Sequence, residues 1–134
     1  MILGVDPGAR RIGVAIAHPD TRLAMPLEVI DARAVDPIAR IAELVRERGV
    51  TAIVVGLPLG LAGGRGAAAR AQGHFVASLR AATTVEVGEF DERFTSVVAA
   101  RGLRETHRGR QERRGPVDAV AAQVMLQGYL DSTA

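Results

Sequence analysis

The chain has 134 residues, the size of one compact domain, and we expect a single domain over residues 1–134. Hydrophobic residues make up 48% of it, and there are no cysteines, which excludes disulfides, thiolate zinc sites and cysteine nucleophiles. No apolar run approaches the roughly 18 residues that a membrane helix needs, and the first residues lack the basic segment of a secretion signal. We therefore expect a cytoplasmic protein without membrane contact.

Charge is unevenly distributed along the chain. The formal net charge is only +2, and every basic residue is an arginine, which explains the pI near 10.3. Residues 101–114 hold six arginines and two acids, so this segment carries about +4 by count and the remaining residues sum to about −2. Such a cationic stretch is typical of contact with a polyanion, although a solvated helix end would explain it equally well. Aromatic residues are only 3% of the chain, so an extended platform for base stacking is not expected.

The first part of the chain predicts three strands joined by short turns. Residues 2–6 form a short apolar run that ends in an acid and precedes the turn signal Pro7-Gly8. Residues 12–17 follow closely enough for a hairpin, and residues 23–30 are the third candidate. Pro26 has no backbone N–H to donate, so the third strand should lie at a sheet edge or contain a bulge. The three strands are predicted to be antiparallel.

After the third strand the pattern changes to alternating helices and strands. Asp36 as N-cap and Pro37 at the first helical position predict a helix that ends at Gly49. The elements predicted after it are a strand at 52–56, a loop at 57–66, a helix at 67–82, a strand at 85–90, a helix from Thr95 or Ser96 to about 107, an arginine-rich loop at 108–115, and a helix from Pro116 to about 130. This order, βββαβαβαα, predicts an α/β fold with a mixed five-stranded sheet and helices on both faces.

Four acids stand where packing does not require an acid. Asp6 ends the first strand, Asp91 and Glu92 follow the strand at 85–90, and Asp118 lies in the first turn of the last helix. In parallel α/β sheets, ligands collect at the carboxyl ends of the strands. A set of carboxylates without His or Cys suits Mg²⁺ or Mn²⁺ rather than Zn²⁺. Two such ions about 4 Å apart can activate a water and stabilise the leaving oxygen of a phosphodiester.

Each acid also has a simpler explanation. Asp6 could be an ordinary turn residue before Pro7-Gly8, and Asp91 and Glu92 could pair with Arg93 in a loop. The helix dipole alone favours an acid at Asp118. The set is more persuasive than any member, because the predicted topology brings the acids towards one place.

Four segments of the chain, in order, match a known pattern. They are DPGARRIGVA at 6–15, VGLPL at 55–59 with GG at 63–64, DERFTS at 91–96, and VDAVAA at 117–122 continuing to LQGYL at 126–130. Together they resemble the YqgF family, RuvC-like proteins described as Holliday-junction resolvases and as nucleases that process the 5′ end of pre-16S rRNA. Arg10 departs from the lysine common in that family, and the loop at 61–64 is less polar than usual.

The resemblance implies an RNase H-like fold and a nuclease that depends on Mg²⁺ or Mn²⁺. It carries the catalytic and metal-binding roles onto Asp6, Glu92 and Asp118, with Asp91 as a further candidate ligand. Arginines would bind the phosphates of the nucleic acid, which makes affinity strongly salt-dependent. The candidates are Arg10, Arg11, Arg93, Arg108, Arg110, Arg113 and Arg114.

The sequence is compatible with three functions. The first is a nuclease acting on pre-rRNA or on branched DNA, as a monomer or a homodimer; a resolvase of a symmetric junction would need a dimer. The second is a relative of the actin-like ATPases, which needs two domains and a second phosphate loop that this chain lacks. The third is a non-catalytic nucleic-acid-binding factor in ribosome assembly, in which the acids are structural.

Overall fold

The computed structural model describes residues 1–57, 66–92 and 116–133, with the side chains of the last stretch described from Ala119 onward. The predicted helix at 95–107 and the arginine-rich loop at 108–115 lie outside these residues. The described elements, in chain order, are β1 (Ile2–Pro7), β2 (Arg11–His18), β3 (Leu23–Asp31), α1 (Pro37–Arg48), β4 (Ala52–Leu57), α2 (Ala67–Ala82), β5 (Glu86–Asp91) and α3 (Pro116–Ser132). No helix among the described residues is both long and apolar enough to cross a membrane.

The five strands form one mixed sheet with β1 at its centre. The strand order is β3-β2-β1-β4-β5, in which β1, β2 and β3 are antiparallel neighbours and β4 and β5 run parallel to β1. The meander and the parallel half were both predicted, and both are confirmed. The carboxyl ends of β1, β4 and β5 therefore meet at one edge of the sheet.

The edge position predicted for the third strand is also confirmed. Pro26 lies in β3 opposite Ala15, directly beside a shift in the β2–β3 register between Val14 and Ala15. Proline has no N–H to donate, but it is tolerated at this position. At a sheet edge or beside a bulge, that missing N–H would point away from the ladder, so no hydrogen bond is lost.

Helix α1 begins and ends where its capping residues predict. The Asp36 side chain accepts hydrogen bonds from the backbone N–H groups of Ile38 and Ala39, at 3.0 and 3.5 Å, and Pro37 follows it. At the other end Gly49 adopts the left-handed conformation, with φ of 64°, which glycine tolerates without strain.

Each face of the sheet is covered by a different set of helices, as predicted. Alternate residues of β1 point to opposite faces. Leu3 and Val5 belong to the core shared with α1 and α2, whereas Ile2 packs on the side of α3. On the α3 side the buried contacts are made by small residues of the sheet, Ala15, Ala17 and Ala24, against Leu126 and Leu130.

Helix α3 approaches the central strand closely at Gly4. A Cβ atom placed on Gly4 would lie 2.8 Å from the Cβ of Leu126 and 3.2 Å from its Cδ2. Any larger residue would push the helix away from the central strand, so the missing side chain at position 4 sets the separation of α3 from β1.

Polar contacts tie the second half of α3 to the β2–β3 hairpin. Gln127 accepts a hydrogen bond from the Ala24 N–H at 2.9 Å and donates to the Arg22 carbonyl at 3.1 Å, while Gln123 donates to the Ala24 carbonyl at 3.1 Å. The Arg22 guanidinium in turn donates to the Leu130 carbonyl and to the Thr133 hydroxyl. These bonds fix α3 along its own axis, because a shift by one residue would break them together.

Gly4→Ala should destabilise the fold because its added methyl group meets the side chain of Leu126 at the core of the helix–sheet contact. We expect a loss of about 1–3 kcal/mol in the free energy of unfolding, measured by urea denaturation. Gly88→Ala in β5 is the matched control, since no atom lies within 4 Å of a Cβ built there. Equal unfolding free energies for the two variants would show that the Gly4 contact does not limit the packing.

Candidate functional site

Asp6 lies near the carboxyl end of the central strand, on the face covered by α3. It pairs with Gly13 of β2 and is only 3% exposed. Because it is two residues after Gly4, strand alternation places it on the same face as the Gly4–Leu126 contact. The fold therefore buries this carboxylate on the α3 face of the sheet, whereas a residue in an ordinary surface turn would be exposed.

Glu92 comes directly after β5 and reaches the same face. Its side chain is fully buried, and a Cβ atom placed on Gly56 would lie 2.5 Å from its Oε2 and 3.2 Å from the Cγ of Met125. The carboxylate thus occupies the space that a side chain on β4 would fill, next to α3. Gly56 ends the strand predicted at 52–56 and lies within β4, and its lack of a side chain makes room for Glu92.

The neighbouring acid, Asp91, lies on the opposite face. Asp91 pairs with Leu57, and strand alternation gives it the orientation of Val87, which belongs to the core shared with α1 and α2. Phe90, with the opposite orientation, packs on the α3 side with Tyr129 at a ring-centroid distance of 5.8 Å. Of the two adjacent acids, Glu92 is therefore the one that lies on the face of Asp6.

The direction of α3 places its first turn towards the same edge. Gln127 is bonded to Ala24, which lies level with the start of β1, and Leu126 contacts Gly4, so α3 runs antiparallel to β1. Position 118 is eight residues before Leu126, or about 12 Å along the helix, whereas Asp6 is about 7 Å along the strand from Gly4. The backbone at Asp118 thus lies past Asp6, at the carboxyl edge, and its side chain is outside the described part of the chain.

The two buried acids do not by themselves complete a metal site. Within the described residues, no group of three or more His, Asp or Glu side chains is close enough to hold an ion. A third oxygen donor would have to come from elsewhere, and Asp118 is the residue that the sequence assigns to that role.

The arginines beside the site differ in what they already contact. Arg10 lies 3.6 Å from the Asp31 carboxylate, with half of its side chain exposed. The pKa of Asp31 is lowered, first by the backbone N–H of Arg33 and further by the side chains of Arg10 and Arg11, while partial desolvation opposes them. Arg11 opens β2 with an exposed side chain. The remaining predicted phosphate contacts, Arg93, Arg108, Arg110, Arg113 and Arg114, lie outside the described residues.

Gln72 supports the candidate site but was not predicted from the sequence. Gln72 of α2 is buried, and its Nε2 donates to the Gly56 carbonyl at 3.2 Å, from the face opposite Glu92. Its signal was a polar residue on the apolar stripe of α2, four and seven residues before Val76 and Leu79. Gln72 therefore fixes the backbone at the end of β4, against which the Glu92 carboxylate packs.

This chain is similar to known proteins over nearly its whole length. Residues 1–132 match a family model described as RuvX: Holliday junction resolvase. A protein from Chloroflexus aggregans is 47% identical over 132 residues, covering 98% of this chain and 93% of its own. One from Chloroflexus aurantiacus is 45% identical over 133 residues, covering 98% of this chain and 87% of its own. Both are described as candidate pre-16S rRNA nucleases.

Solved structures share the fold at lower identity. Thermus thermophilus RuvC in complex with a Holliday junction substrate superposes with a TM-score of 0.61 at 20% identity, covering 98% of this chain and 94% of that one. RuvC from the same organism, solved separately, gives a TM-score of 0.58 at 19% identity over 98% of this chain and 95% of that one. The RNase H-like fold expected from the motifs is therefore confirmed. Taken with the family match over residues 1–132, it shows that this chain belongs to the RuvX family of Holliday junction resolvases and is a nuclease, a hydrolase acting on ester bonds.

Proposed function

We propose that this nuclease depends on a divalent cation, Mg²⁺ or Mn²⁺, held by Asp6, Glu92 and Asp118, and that it processes the 5′ end of pre-16S rRNA. The observation that carries the proposal is the pair of buried carboxylates, Asp6 at 3% and Glu92 at 0% exposure, on one face at the carboxyl edge of the sheet. Asp91 is a weaker candidate ligand, because it lies on the other face.

The donor set fits a hard cation. Burial of two carboxylates on one face is costly unless hydrogen bonds or a positive charge compensate it, and oxygen-only ligands favour Mg²⁺ or Mn²⁺. Gly56 supports the same assignment, since its missing side chain leaves the space in which the Glu92 carboxylate lies. When bound, such an ion supplies the charge that stabilises the negative charge developing on a phosphodiester during hydrolysis.

The chain's own residues would orient the substrate around this centre. Asp6 lies on the central strand, which pairs with β2 at Asp6 and with β4 up to Val5, so regular strand pairing fixes the backbone that carries the carboxylate. Arg10 and Arg11 lie in and after the turn that follows β1, where phosphates of a bound strand would pass. Arg93, Arg108, Arg110, Arg113 and Arg114 are proposed as further phosphate contacts from their charge alone.

Ribosomal RNA is the proposed substrate because the relatives at 45 and 47% identity are described as candidate pre-16S rRNA nucleases. A junction resolvase is the second candidate, favoured by the description of the family model. The two differ in assembly: a resolvase of a symmetric junction requires a homodimer with two sites, whereas trimming of an RNA end needs only a monomer. A nuclease of ribosomal RNA in a bacterial cell would act in the cytoplasm.

Asp6→Asn and Asp118→Asn should each abolish cleavage by removing a negatively charged ligand. We expect the cleavage rate to fall by more than about 100-fold. Mutation of a residue that only hydrogen-bonds to a metal ligand already lowers activity or metal affinity by roughly 10–100-fold, and loss of the ligand itself should cost more. Each variant is to be assayed with Mg²⁺ and with Mn²⁺, on a pre-16S rRNA 5′ fragment and on a four-way DNA junction.

Asp20→Asn is the control for this pair, since Asp20 is an exposed acid in the β2–β3 turn, with 88% of its side chain accessible. It should cleave like the unaltered protein. Undiminished cleavage and Mn²⁺ affinity in both Asp6→Asn and Asp118→Asn would rule out the metal-dependent mechanism. Cleavage of the junction alone would select the resolvase.

Gly56→Ala tests whether Glu92 is a ligand without changing any acid. The new methyl group would meet Glu92 Oε2 and force the carboxylate to move, so Mn²⁺ affinity measured by calorimetry should fall by about 10–100-fold. Gly88→Ala on the neighbouring strand, where a Cβ has open space, should retain the affinity. A folded Gly56→Ala protein with unchanged Mn²⁺ affinity would exclude Glu92 from the site.

A further inference from the structure

A groove runs along α2 on the face of the sheet opposite the buried acids. It consists of two adjoining hollows of about 560 and 450 Å³, which share Ala71 and Phe75. The larger hollow lies between α2 and Ile38 of α1, and the smaller one ends at the turn formed by residues 7–9. Each hollow is within the range of about 300–1,000 Å³ that small-molecule sites occupy, which is enough for a nucleotide.

The lining of the groove combines an apolar floor with donors at the rim. Phe75 is half-buried and Ala71 is exposed beside it, while the side chains of Arg70, His74 and Ser78 border the larger hollow. No Asp or Glu is among the described residues that line either hollow. Arg70 forms no ion pair with any residue in the part of the chain that the structure describes. The surface is thus complementary to a ligand with a flat apolar part and an anionic part.

The position of the groove links it to the candidate site. The turn at residues 7–9, which closes the smaller hollow, begins directly after Asp6. A strand of nucleic acid with one phosphate at the buried acids could therefore cross the sheet edge at this turn and continue into the groove. Only a single strand has a free base face to place on an aromatic ring, since in a duplex both faces are stacked.

We propose that this groove binds a single-stranded segment of the nucleic-acid substrate that flanks the cleaved bond, with a base against Phe75 and a phosphate at Arg70. The proposal rests on the proposed nuclease site and defines its substrate as one with a single-stranded flank. Stacking of one base needs only one aromatic ring. The low aromatic content of the chain, which argues against an extended stacking surface, is therefore compatible with this proposal.

Binding of two RNA probes to the Asp6→Asn protein, which isolates binding from cleavage, tests the proposal. One probe is a blunt hairpin, and the other is the same hairpin with a six-nucleotide 5′ extension that contains 4-thiouridine. We expect the extension to increase affinity, measured by fluorescence anisotropy. Ala71→Glu, which puts a negative charge in the groove at an exposed position, and Arg70→Ala should each weaken binding of the extended probe by roughly tenfold and leave the blunt probe unchanged.

Matched controls lie outside the groove on the same helix and at the far edge of the sheet. Ala81→Glu adds the same charge at another exposed position of α2, and Arg48→Ala removes an exposed arginine at the end of α1. Both should bind the two probes like the parent protein. Phe75→Leu keeps an apolar side chain against the core but removes the aromatic ring. It should lower the affinity for the extended probe and leave the affinity for the blunt probe unchanged.

Photocrosslinking of the extended probe gives an independent measurement. Trypsin cuts after Arg70 and Arg80, so the groove residues Ala71, His74, Phe75 and Ser78 fall in one peptide, residues 71–80. A crosslink in this peptide is the expected result. An extension that adds no affinity, or Ala71→Glu and Arg70→Ala variants that bind the extended probe as their controls do, would overturn the proposal. Because these readouts need no cleavage, persistent activity of Asp6→Asn would refute the nuclease site separately.

Discussion

The contact between the last helix and the central strand is the constraint on which the site depends. Gly4 has no side chain, and Ala15, Ala17 and Ala24 add only methyl groups, so α3 can approach the sheet closely. Dispersion and apolar burial grow with this proximity, while the Gln127 and Arg22 hydrogen bonds prevent the helix from sliding. Together they hold the first turn of α3 at the carboxyl edge of β1, where Asp6 lies.

Close packing under α3 also explains why the acids of this edge are unusual. A carboxylate that is 3% or 0% exposed has lost most of its hydration, and the fold must compensate with polar partners or a cation. A globular protein without a use for such groups would place apolar side chains there, as it does at Val54 and Met125 immediately beside them. The burial of these two carboxylates, which costs stability, is the physical reason for proposing that they form a functional site.

The two faces of the sheet carry different features. The α3 face holds the buried acids, whereas the α1–α2 face holds most of the aliphatic core and the groove along α2. The short turn after β1 borders both, because it follows Asp6 and lines the smaller hollow of the groove. Gln72 connects them physically, because it reaches from α2 to the carbonyl of Gly56, whose other side faces Glu92. A substrate bound across this edge would contact both faces.

Local sequence signals alone determined most of the secondary structure. The caps Asp36 and Gly49 delimit α1, Pro26 assigns β3 to an edge, and an acid after an apolar run marks the end of β1, because these effects act within a few residues. The strand pattern could not decide whether Asp91 or Glu92 lies on the face of Asp6, since adjacent residues face opposite ways and only pairing with β4 sets the register. Only the family resemblance favoured Glu92. The roles of Gly56 and Gln72 were equally hidden, because each depends on a side chain from another element that only the tertiary fold brings into contact.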